Sequence, residues 1–262
     1  MEDELNRLRK VCIVALGFVA AFAALAAMAA DRRDAGPLGL IITYHTTPAN
    51  RAAFREQLEH AGGRQFQRWK DEGVLQSYHM LFNRYVDSHN WDAMVVLGFA
   101  SPADLARWKK VERQSPAGLF PEALALTDAI ETVPADAMRE GSSAEASRDP
   151  VYLVIPYEVL VPTAEYLSYL DGYVIPQLEG WKNEGVLSAY RVYLPRYGAG
   201  RPWASLLMLE YRNEQALGAR EAVVAKVRER LKENREWKAI SDNKKKMREE
   251  KQLVIADPIA LR

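Results

Sequence analysis

The chain has 262 residues, of which 35 are Lys or Arg and 35 are Asp or Glu, so its formal net charge is zero. A hydrophobic fraction of 48% can support a buried core, which excludes a disordered or fibrous chain. Zero net charge removes the global attraction on which nucleic-acid binders depend, so we expect no nucleic-acid partner. The single cysteine, Cys12, excludes an intrachain disulfide and a cysteine-based zinc site.

The N-terminal part of the chain is typical of a targeting segment. Residues Val11 to Ala30 carry no charge and follow the basic residues Arg7, Arg9 and Lys10. Ala27 to Ala29 supply the small-x-small pattern that signal peptidase cleaves. We therefore expect residues 1–30 to be a signal peptide cleaved after Ala29, with the mature protein in the periplasm or elsewhere outside the cytoplasm. An uncleaved membrane anchor formed by residues 11–30 and a buried helix are the alternatives.

The rest of the chain contains one unit twice. The segment from Trp69 to Leu75 reads WKDEGVL, and the segment from Trp181 to Leu187 reads WKNEGVL. The same offset of 112 residues aligns further positions without a gap from about Gly39/Val151 to Leu105/Leu217. Later, Val133–Asp136 matches Val254–Asp257 at an offset of 121. The repeat predicts two complete modules, 37–140 and 151–262, joined by a polar linker over 141–150.

Each copy shows the same order of predicted elements. A short apolar strand comes first, and a helix with one buried face follows and ends at Gly73 or Gly185. Gly62-Gly63 in one copy and Pro176 in the other predict an interruption of that helix at nearly the same place. Two strands, a second helix and a last strand complete the copy. The predicted strands are Leu40–His45, Leu75–Tyr85, Asp92–Ala100 and Glu131–Met138, and in the second copy Val151–Tyr157, Leu187–Tyr197, Ala204–Arg212 and Gln252–Ala260.

The order strand, helix, strand, strand, helix, strand is that of the ferredoxin-like α+β module. Pairing two such four-stranded sheets buries the face that each leaves open and closes an eight-stranded α/β barrel with pseudo-two-fold symmetry. With the helix-ending pattern W-K-x-E-G-V-L-x-x-Y, the chain resembles the dimeric α/β-barrel superfamily in its fused, two-module form. That resemblance implies a barrel closed within one chain, so a second copy is not required. Members of the superfamily include cofactor-free monooxygenases, lyases, haem enzymes and ligand-binding proteins, so the resemblance predicts a fold and no single reaction.

Comparison of the two copies separates structural positions from candidate site positions. Aromatic residues identical in both copies, such as Trp69/Trp181 and Trp91/Trp203, most simply serve the shared core. Positions that align but differ in polar chemistry are better site candidates: His45/Tyr157, His79/Arg191, Asn83/Pro195, His89/Arg201 and Gly98/Glu210.

Strand alternation predicts that several of these candidates face the barrel interior. In the strand around His79, residues Tyr78, Met80 and Phe82 form the apolar face expected to pack on helices, which leaves His79 and Arg191 facing the barrel interior. We expect His45, Tyr157 and Glu210 to join them. In this hypothesis His79 is the general base, Arg191 binds an oxyanion or carboxylate, and Tyr157 donates a proton. The alternative is that all five are hydrogen-bonded barrel residues without a catalytic role.

The predicted function is that of an exported, cofactor-independent lyase, isomerase or oxygenase acting on a small apolar or aromatic molecule in the barrel pocket. A non-catalytic periplasmic protein that binds a small ligand or serves an accessory role is the alternative. The four histidines show no metal-ligand spacing, so we expect no metal site. A single axial histidine suffices for haem, so a haem protein stays open as a third possibility.

Overall fold

The computed structural model describes residues 38–145 and 147–259. The predicted signal peptide or anchor, including residues 11–30, lies outside the described residues. The described residues belong to one compact unit. Within the described ranges, no helix combines the length and apolar character needed to cross a bilayer.

Nine strands and nine α-helices make up the described structure. The strands are β1 (Gly39–Thr46), β2 (Ser77–Asn83), β3 (Ala93–Gly98), β4 (Thr127–Ser142), β5 (Val151–Val159), β6 (Leu187–Pro195), β7 (Ser205–Tyr211), β8 (Arg248–Glu250) and β9 (Val254–Pro258). The helices are α1 (Arg51–Gln57), α2 (Gly63–Asp71), α3 (Pro102–Gln114), α4 (Pro121–Leu124), α5 (Thr163–Tyr169), α6 (Ile175–Asn183), α7 (Glu214–Gly218), α8 (Arg220–Leu231) and α9 (Arg235–Asn243). Short 3₁₀ turns occupy Pro116–Gly118 and Lys244–Lys246.

The sheet closes into an antiparallel barrel. Its strand order is β7-β6-β4-β1-β3-β2-β9-β5, and β5 pairs with β7 to complete the ring, while β8 continues the edge of β5 beside β9. Each module contributes four strands in the ferredoxin-like order, β4-β1-β3-β2 and β9-β5-β7-β6. The β4–β6 and β2–β9 pairs join the modules. The predicted pseudo-two-fold, eight-stranded barrel of two ferredoxin-like modules is confirmed.

Strand alternation divides the apolar side chains into three clusters. Residues such as Met80 and Phe82 pack under the helices of the first module, and residues such as Leu207 and Leu209 pack under those of the second. The opposite strand faces, with Leu81 and Met208 among them, form a third cluster inside the barrel. The prediction that Tyr78, Met80 and Phe82 face the helices is therefore confirmed.

The helix interruptions are π-helical turns. Leu58–Gly62 separates α1 from α2, and Leu170–Val174 separates α5 from α6, at equivalent places in the two modules. Gly73 and Gly185 follow the helix ends with φ angles of 69° and 80°, which is the left-handed conformation that a side chain disfavours. Both glycines end their helices as predicted.

One prediction about the repeat is wrong at its first strands. Leu40 pairs with Leu97 in the first module, and Leu153 pairs with Leu209 in the second. Since Leu97 and Leu209 are 112 residues apart and Leu40 and Leu153 are 113 apart, the alignment contains a one-residue gap before the first helix. A shift by one residue moves every side chain of a strand to the other face. Tyr157 therefore corresponds to Tyr44 and not to His45.

The predicted boundary of the linker also needs correction. Strand β4 continues to Ser142 and pairs with β6 from Ala135↔Pro195 to Ser142↔Ala189. The first residues of the predicted linker, 141 and 142, therefore belong to the barrel. In the second module the equivalent edge is divided into β8 and β9, which are separated by residues 251–253.

Candidate functional site

A cavity of about 290 Å³ opens at the end of the barrel where β1 and β5 finish and where β3 and β7 begin. Trp91 and Trp203, equivalent residues of the two modules, form its aromatic walls and are 9% and 6% exposed. Its floor consists of apolar side chains of the barrel interior, namely Ile41, Met94, Val133 and Leu206. We call this space the tryptophan cavity. An apolar pocket with few polar groups is the usual form of a small-molecule site.

Two polar side chains of β1 lie on the cavity wall. Thr43 is 9% exposed, and His45, two residues later, is half-buried on the same face of the strand. The register between β1 and β4 shifts immediately after His45, between its pairing with Ala129 and the pairing of Thr46 with Thr127. Such a bulge redirects a side chain at a strand end and is common beside active sites. A hydroxyl group and an imidazole therefore face one apolar space.

At the opening of the cavity, loops of the two modules contact each other through hydrogen bonds and an ion pair. Lys251 Nζ donates to the carbonyl oxygen of Pro202 at 2.9 Å and lies 3.0 Å from Glu158 Oε2. Gln252 Nε2 donates to Asp87 Oδ2 at 2.7 Å, so the segment between β8 and β9 is bound to the β2–β3 loop. The rim formed by these residues, with His89, Asn90 and Glu131, is polar above an apolar floor.

A second polar group lies at the opposite end of the barrel and includes three predicted site residues. Glu210 accepts hydrogen bonds from the Tyr152 hydroxyl at 2.8 Å and from the Ser188 hydroxyl at 2.6 Å. Burial is the main cause that lowers the pKa of His79 to about 4; the charge of Arg191 acts in the same direction, and Glu210 opposes both effects. Arg191 Nε is 3.6 Å from Glu140 Oε2. The structure thus brings His79, Arg191 and Glu210 together.

His45 and Tyr157 lie away from that group. His45 lines the tryptophan cavity at the other end of the barrel. Tyr157 is 4% exposed and packs in the cluster under the helices of the second module, so it does not face the barrel interior. The expectation that all five candidates share one lumen is wrong, because the one-residue gap reverses the face of Tyr157.

Sequence reasoning also missed residues that the cavity uses. The identity of Trp91 and Trp203 in the two copies predicts a role in the shared core, whereas in the structure they form the walls of the cavity. Thr43 has no polar counterpart in the second module, where Pro156 occupies the equivalent strand position. Correct alignment of the first strands would have revealed this difference.

Three of the histidines line cavities. Spaces of about 290, 330 and 260 Å³ contact His45, His89 or His79, and the first two spaces share His45 and Asn90. No step proposed below involves haem. The part of the chain described by the structure also contains no group of three or more His, Cys, Asp or Glu residues arranged to hold a metal ion.

The fold and this site define a two-module α/β-barrel protein with a small aromatic-lined cavity. No protein-family model matches the sequence, and no curated protein matches it. A proposed monooxygenase from Lactobacillus acidophilus is similar in structure, with a TM-score of 0.53 and 8% identity over 86% of this chain and 95% of that one. A proposed monooxygenase from Fusobacterium nucleatum gives a TM-score of 0.52 and 11% identity over 86% and 93%. An anthrone oxidase-like protein gives 0.50 and 15% identity over 84% and 90%. These likenesses show the shared fold.

Proposed function

We propose that the protein is a cofactor-independent oxygenase that oxidises a small aromatic molecule in the tryptophan cavity. The observation that carries the proposal is the placement of His45 and Thr43 on one wall of an apolar cavity flanked by Trp91 and Trp203. The names of the structural neighbours, monooxygenase and anthrone oxidase-like protein, support the reaction class. Export from the cytoplasm, based on residues 11–30, is part of the same proposal.

The chemistry follows from the side chains. The aromatic body of the substrate packs against Trp91 and Trp203, and its activated CH₂ group is conjugated with a carbonyl group through the aromatic rings. The imidazole of His45 removes a proton from that CH₂ group, while the Thr43 hydroxyl donates to the oxygen on which negative charge develops. The resulting carbanion reacts with O₂. In the complete reaction the CH₂ group and O₂ give a C=O group and water, so no external reductant is needed.

This assignment moves the base from His79 to His45. The lowered pKa of His79 makes its imidazole a weak base, and Glu210, its neighbour, is already engaged by two hydroxyl groups. His45 contacts the larger apolar space. The polar group around His79 then serves as the hydrogen-bonded closure of the other barrel end.

The test uses the purified protein with anthrone, whose central ring carries the required CH₂ group opposite a ketone and conjugated with it through two aromatic rings. Oxygen consumption and mass spectrometry of the product are measured for wild type and for single variants. General-base removal in His45→Ala is expected to lower kcat by about 10²- to 10⁴-fold. His60→Ala is the matched control, because His60 is exposed on the helix side. His79→Ala distinguishes the two candidate bases.

Three outcomes would overturn the assignment. If aromatic ketones bind and are recovered unchanged, the protein is a binding protein, which is the second candidate function. If His45→Ala retains the wild-type rate while His79→Ala loses it, the base is at the other barrel end. A Soret band in the purified protein would establish haem and remove the cofactor-independent proposal.

A further inference from the structure

Strand β4 carries a carboxylate on its inward face at the mouth of the tryptophan cavity. Glu131 lies two residues before Val133, which belongs to the cluster inside the barrel, so strand alternation places both side chains on the same face. Glu131 lines the cavity and is exposed to solvent there. The strand register sets it directly opposite Thr43 of β1. A negative charge therefore lies on the cavity wall, beside the apolar floor.

Neither Glu131 nor Thr43 has a side-chain partner within the described part of the chain. Glu131 forms no ion pair there, and no hydrogen bond engages its carboxylate or the Thr43 hydroxyl. Thr43 is 9% exposed, so its hydroxyl is a largely buried polar group that faces the cavity without a partner. Buried polar groups in proteins are normally hydrogen-bonded. A ligand in the cavity would supply the missing partners.

The carboxylate of Glu131 is not balanced by the lysine of the cavity wall. Lys251 Nζ lies 3.0 Å from Glu158 Oε2, so its charge is already neutralised. In the second module Gln252 takes the place of Glu131, since the pairs Ile41–Val133 and Val154–Val254 are equivalent. Gln252 is a neutral amide that donates to the β2–β3 loop. The first module alone thus brings a charge to this position.

A second space beside the cavity has the same sign of charge. It measures about 330 Å³ and shares His45 and Asn90 with the tryptophan cavity. Asp87 and Asp128 line it, and neither forms an ion pair with another described residue. Charges that are this close to a low-dielectric cavity add to its potential. The surroundings of the mouth therefore favour a cation.

Asp92, which also lines the second space, differs because an arginine neutralises it. Arg51 Nε donates to Asp92 Oδ1 at 2.8 Å, and the pair fills the corner between the start of α1 and the strand ends. In the second module, at the offset of 112 residues, Thr163 and Ala204 replace this pair, and with Pro195 they line an open space of about 550 Å³. The closed corner of the first module leaves only the unpaired carboxylates available to a ligand.

We propose that the tryptophan cavity takes an aromatic molecule that carries an ammonium group. The proposal rests on the function proposed above, because it names the substrate class of the same site. The ammonium group donates to the carboxylate of Glu131, and the aromatic body lies between Trp91 and Trp203, whose ring faces also attract cations. The charge at the mouth favours this ligand over a neutral molecule or an anion of the same shape.

The same charge bears on the proposed reaction. Negative charge develops on the substrate oxygen that accepts from Thr43, and Glu131 lies opposite Thr43. An unpaired carboxylate at that place repels the developing charge and opposes proton removal by His45. An ammonium group of the substrate neutralises Glu131 and removes the repulsion. The unbalanced charge of the site thus indicates a cationic substrate.

The test measures the binding of three probes of similar shape by titration calorimetry of the whole protein at neutral pH. 2-Naphthylmethylamine is protonated under these conditions, 2-naphthylmethanol is neutral and 2-naphthoate is an anion. We expect the amine to bind about tenfold more tightly than the alcohol, and 2-naphthoate to bind least tightly. Glu131→Gln should reduce the preference for the amine to about threefold or less and leave the affinity for the alcohol unchanged.

A matched control comes from the same strand. Glu140 is an exposed carboxylate of β4 near the opposite barrel end, and Glu140→Gln should keep the full preference for the amine. Glu131→Lys reverses the charge and should make 2-naphthoate bind more tightly than the amine. Equal affinity for the amine and the alcohol, an unchanged preference in Glu131→Gln, or the same loss in Glu140→Gln would overturn the proposal.

Oxidation of anthrone separates this proposal from the proposed function. Anthrone carries no cation, so Glu131→Gln should oxidise it at least as fast as wild type. Slower oxidation by this variant would mean that Glu131 acts on His45 and not on the ligand, which would overturn the proposal. Preference for the amine without oxidation of anthrone would support the ligand class and refute the oxygenase. Oxidation of anthrone without preference for the amine would do the reverse.

Discussion

The two modules share a backbone plan but differ in what they bury beneath their helices. Under the first module, Phe66, Trp69 and Trp108 pack with edge-to-face and stacked rings. Under the second, Tyr166, Tyr169 and Tyr173 stack in a row that ends at Trp237. The first module therefore encloses a mostly apolar core, whereas the second carries phenol groups and Arg248 into the equivalent space.

This difference shows how one repeated unit can take two roles. The first module closes its helix corner with the Arg51–Asp92 pair and contributes His45 and Thr43 to the tryptophan cavity. The second module leaves the same corner open and places Arg248 beside it. Divergence has affected the polar positions while the strand pairing and the helix ends are preserved, as expected when the frame must remain closed.

The largest expected effect concerns the closure of the first module. Asp92→Ala should lower the free energy of unfolding by about 3–5 kcal/mol, because it leaves the Arg51 charge buried without its partner. The side chains of Arg51 and Asp92 are 15% and 8% exposed, which supports a value in the range for buried pairs. Urea denaturation followed by fluorescence measures the change.

The matched control is the exposed partner of another arginine. Glu214, which pairs with Arg84 at 2.8 Å, has a side chain that is 68% exposed. Glu214→Ala should change stability by about 0–1 kcal/mol. If Asp92→Ala is no more destabilising than Glu214→Ala, the ion pair does not close the first module, and the comparison with the second module loses its basis.

The next effect is on acid stability at the His79/Arg191 position. The folded-state pKa of His79, about 4, lies below its unfolded value of 6.5, so the unfolded chain binds more protons between these pH values. Stability is then fully present above pH 6.5 and decreases as the pH falls toward 4. Allowing for partial exposure, the contribution is about 2 kcal/mol.

His79→Asn should therefore reduce the loss of stability between pH 6.5 and pH 4, as measured by urea denaturation at a series of pH values. The groups that act on His79 from neighbouring elements are Arg191, Glu210 and Lys70. His60→Asn removes an exposed histidine and serves as the control. The same pH dependence in wild type and His79→Asn would show that this histidine is not held neutral by the fold.

Much of the architecture could be predicted because it depends on patterns that survive divergence. The helix ends at Gly73 and Gly185 follow from a backbone conformation that few residues adopt, and the alternation around His79 follows from the two-residue period of a strand. Both features are local. The barrel could be predicted from the repeat, because each of two similar sheets has one apolar face that must be buried, and pairing the sheets buries both faces.

The candidate site was harder to predict, because the position of a side chain in space depends on registers that sequence patterns do not fix. In a strand that is apolar on both faces, an alignment error of one residue does not disturb the hydrophobic pattern. The error still assigns each side chain to the wrong face of the sheet, as at Tyr157. The corner of the second module could not be recognised either, since a missing ion pair is visible only when Thr163, Ala204 and Pro195 are seen to meet.

The smallest effect tests the corrected alignment of Tyr44 with Tyr157. Both tyrosines pair with the equivalent position of the next strand, Ala93 in one module and Ser205 in the other. The Tyr44 hydroxyl donates to the buried carbonyl oxygen of Ala117 at 2.6 Å, while the Tyr157 hydroxyl lies 3.4 Å from Glu250 Oε2.

Tyr44→Phe leaves a buried acceptor without a donor and should cost about 1–2 kcal/mol of unfolding free energy. Tyr157→Phe should cost less than about 1 kcal/mol, because Arg248 keeps its contact with the ring and the lost hydrogen bond is long. Tyr85→Phe, at a position that is 60% exposed, should have no measurable effect in the same urea titration. Equal losses of unfolding free energy in Tyr44→Phe and Tyr157→Phe would mean that the two hydroxyl groups stabilise the fold equally. The contrast between a closed first module and an open second module would then not extend to the first strands.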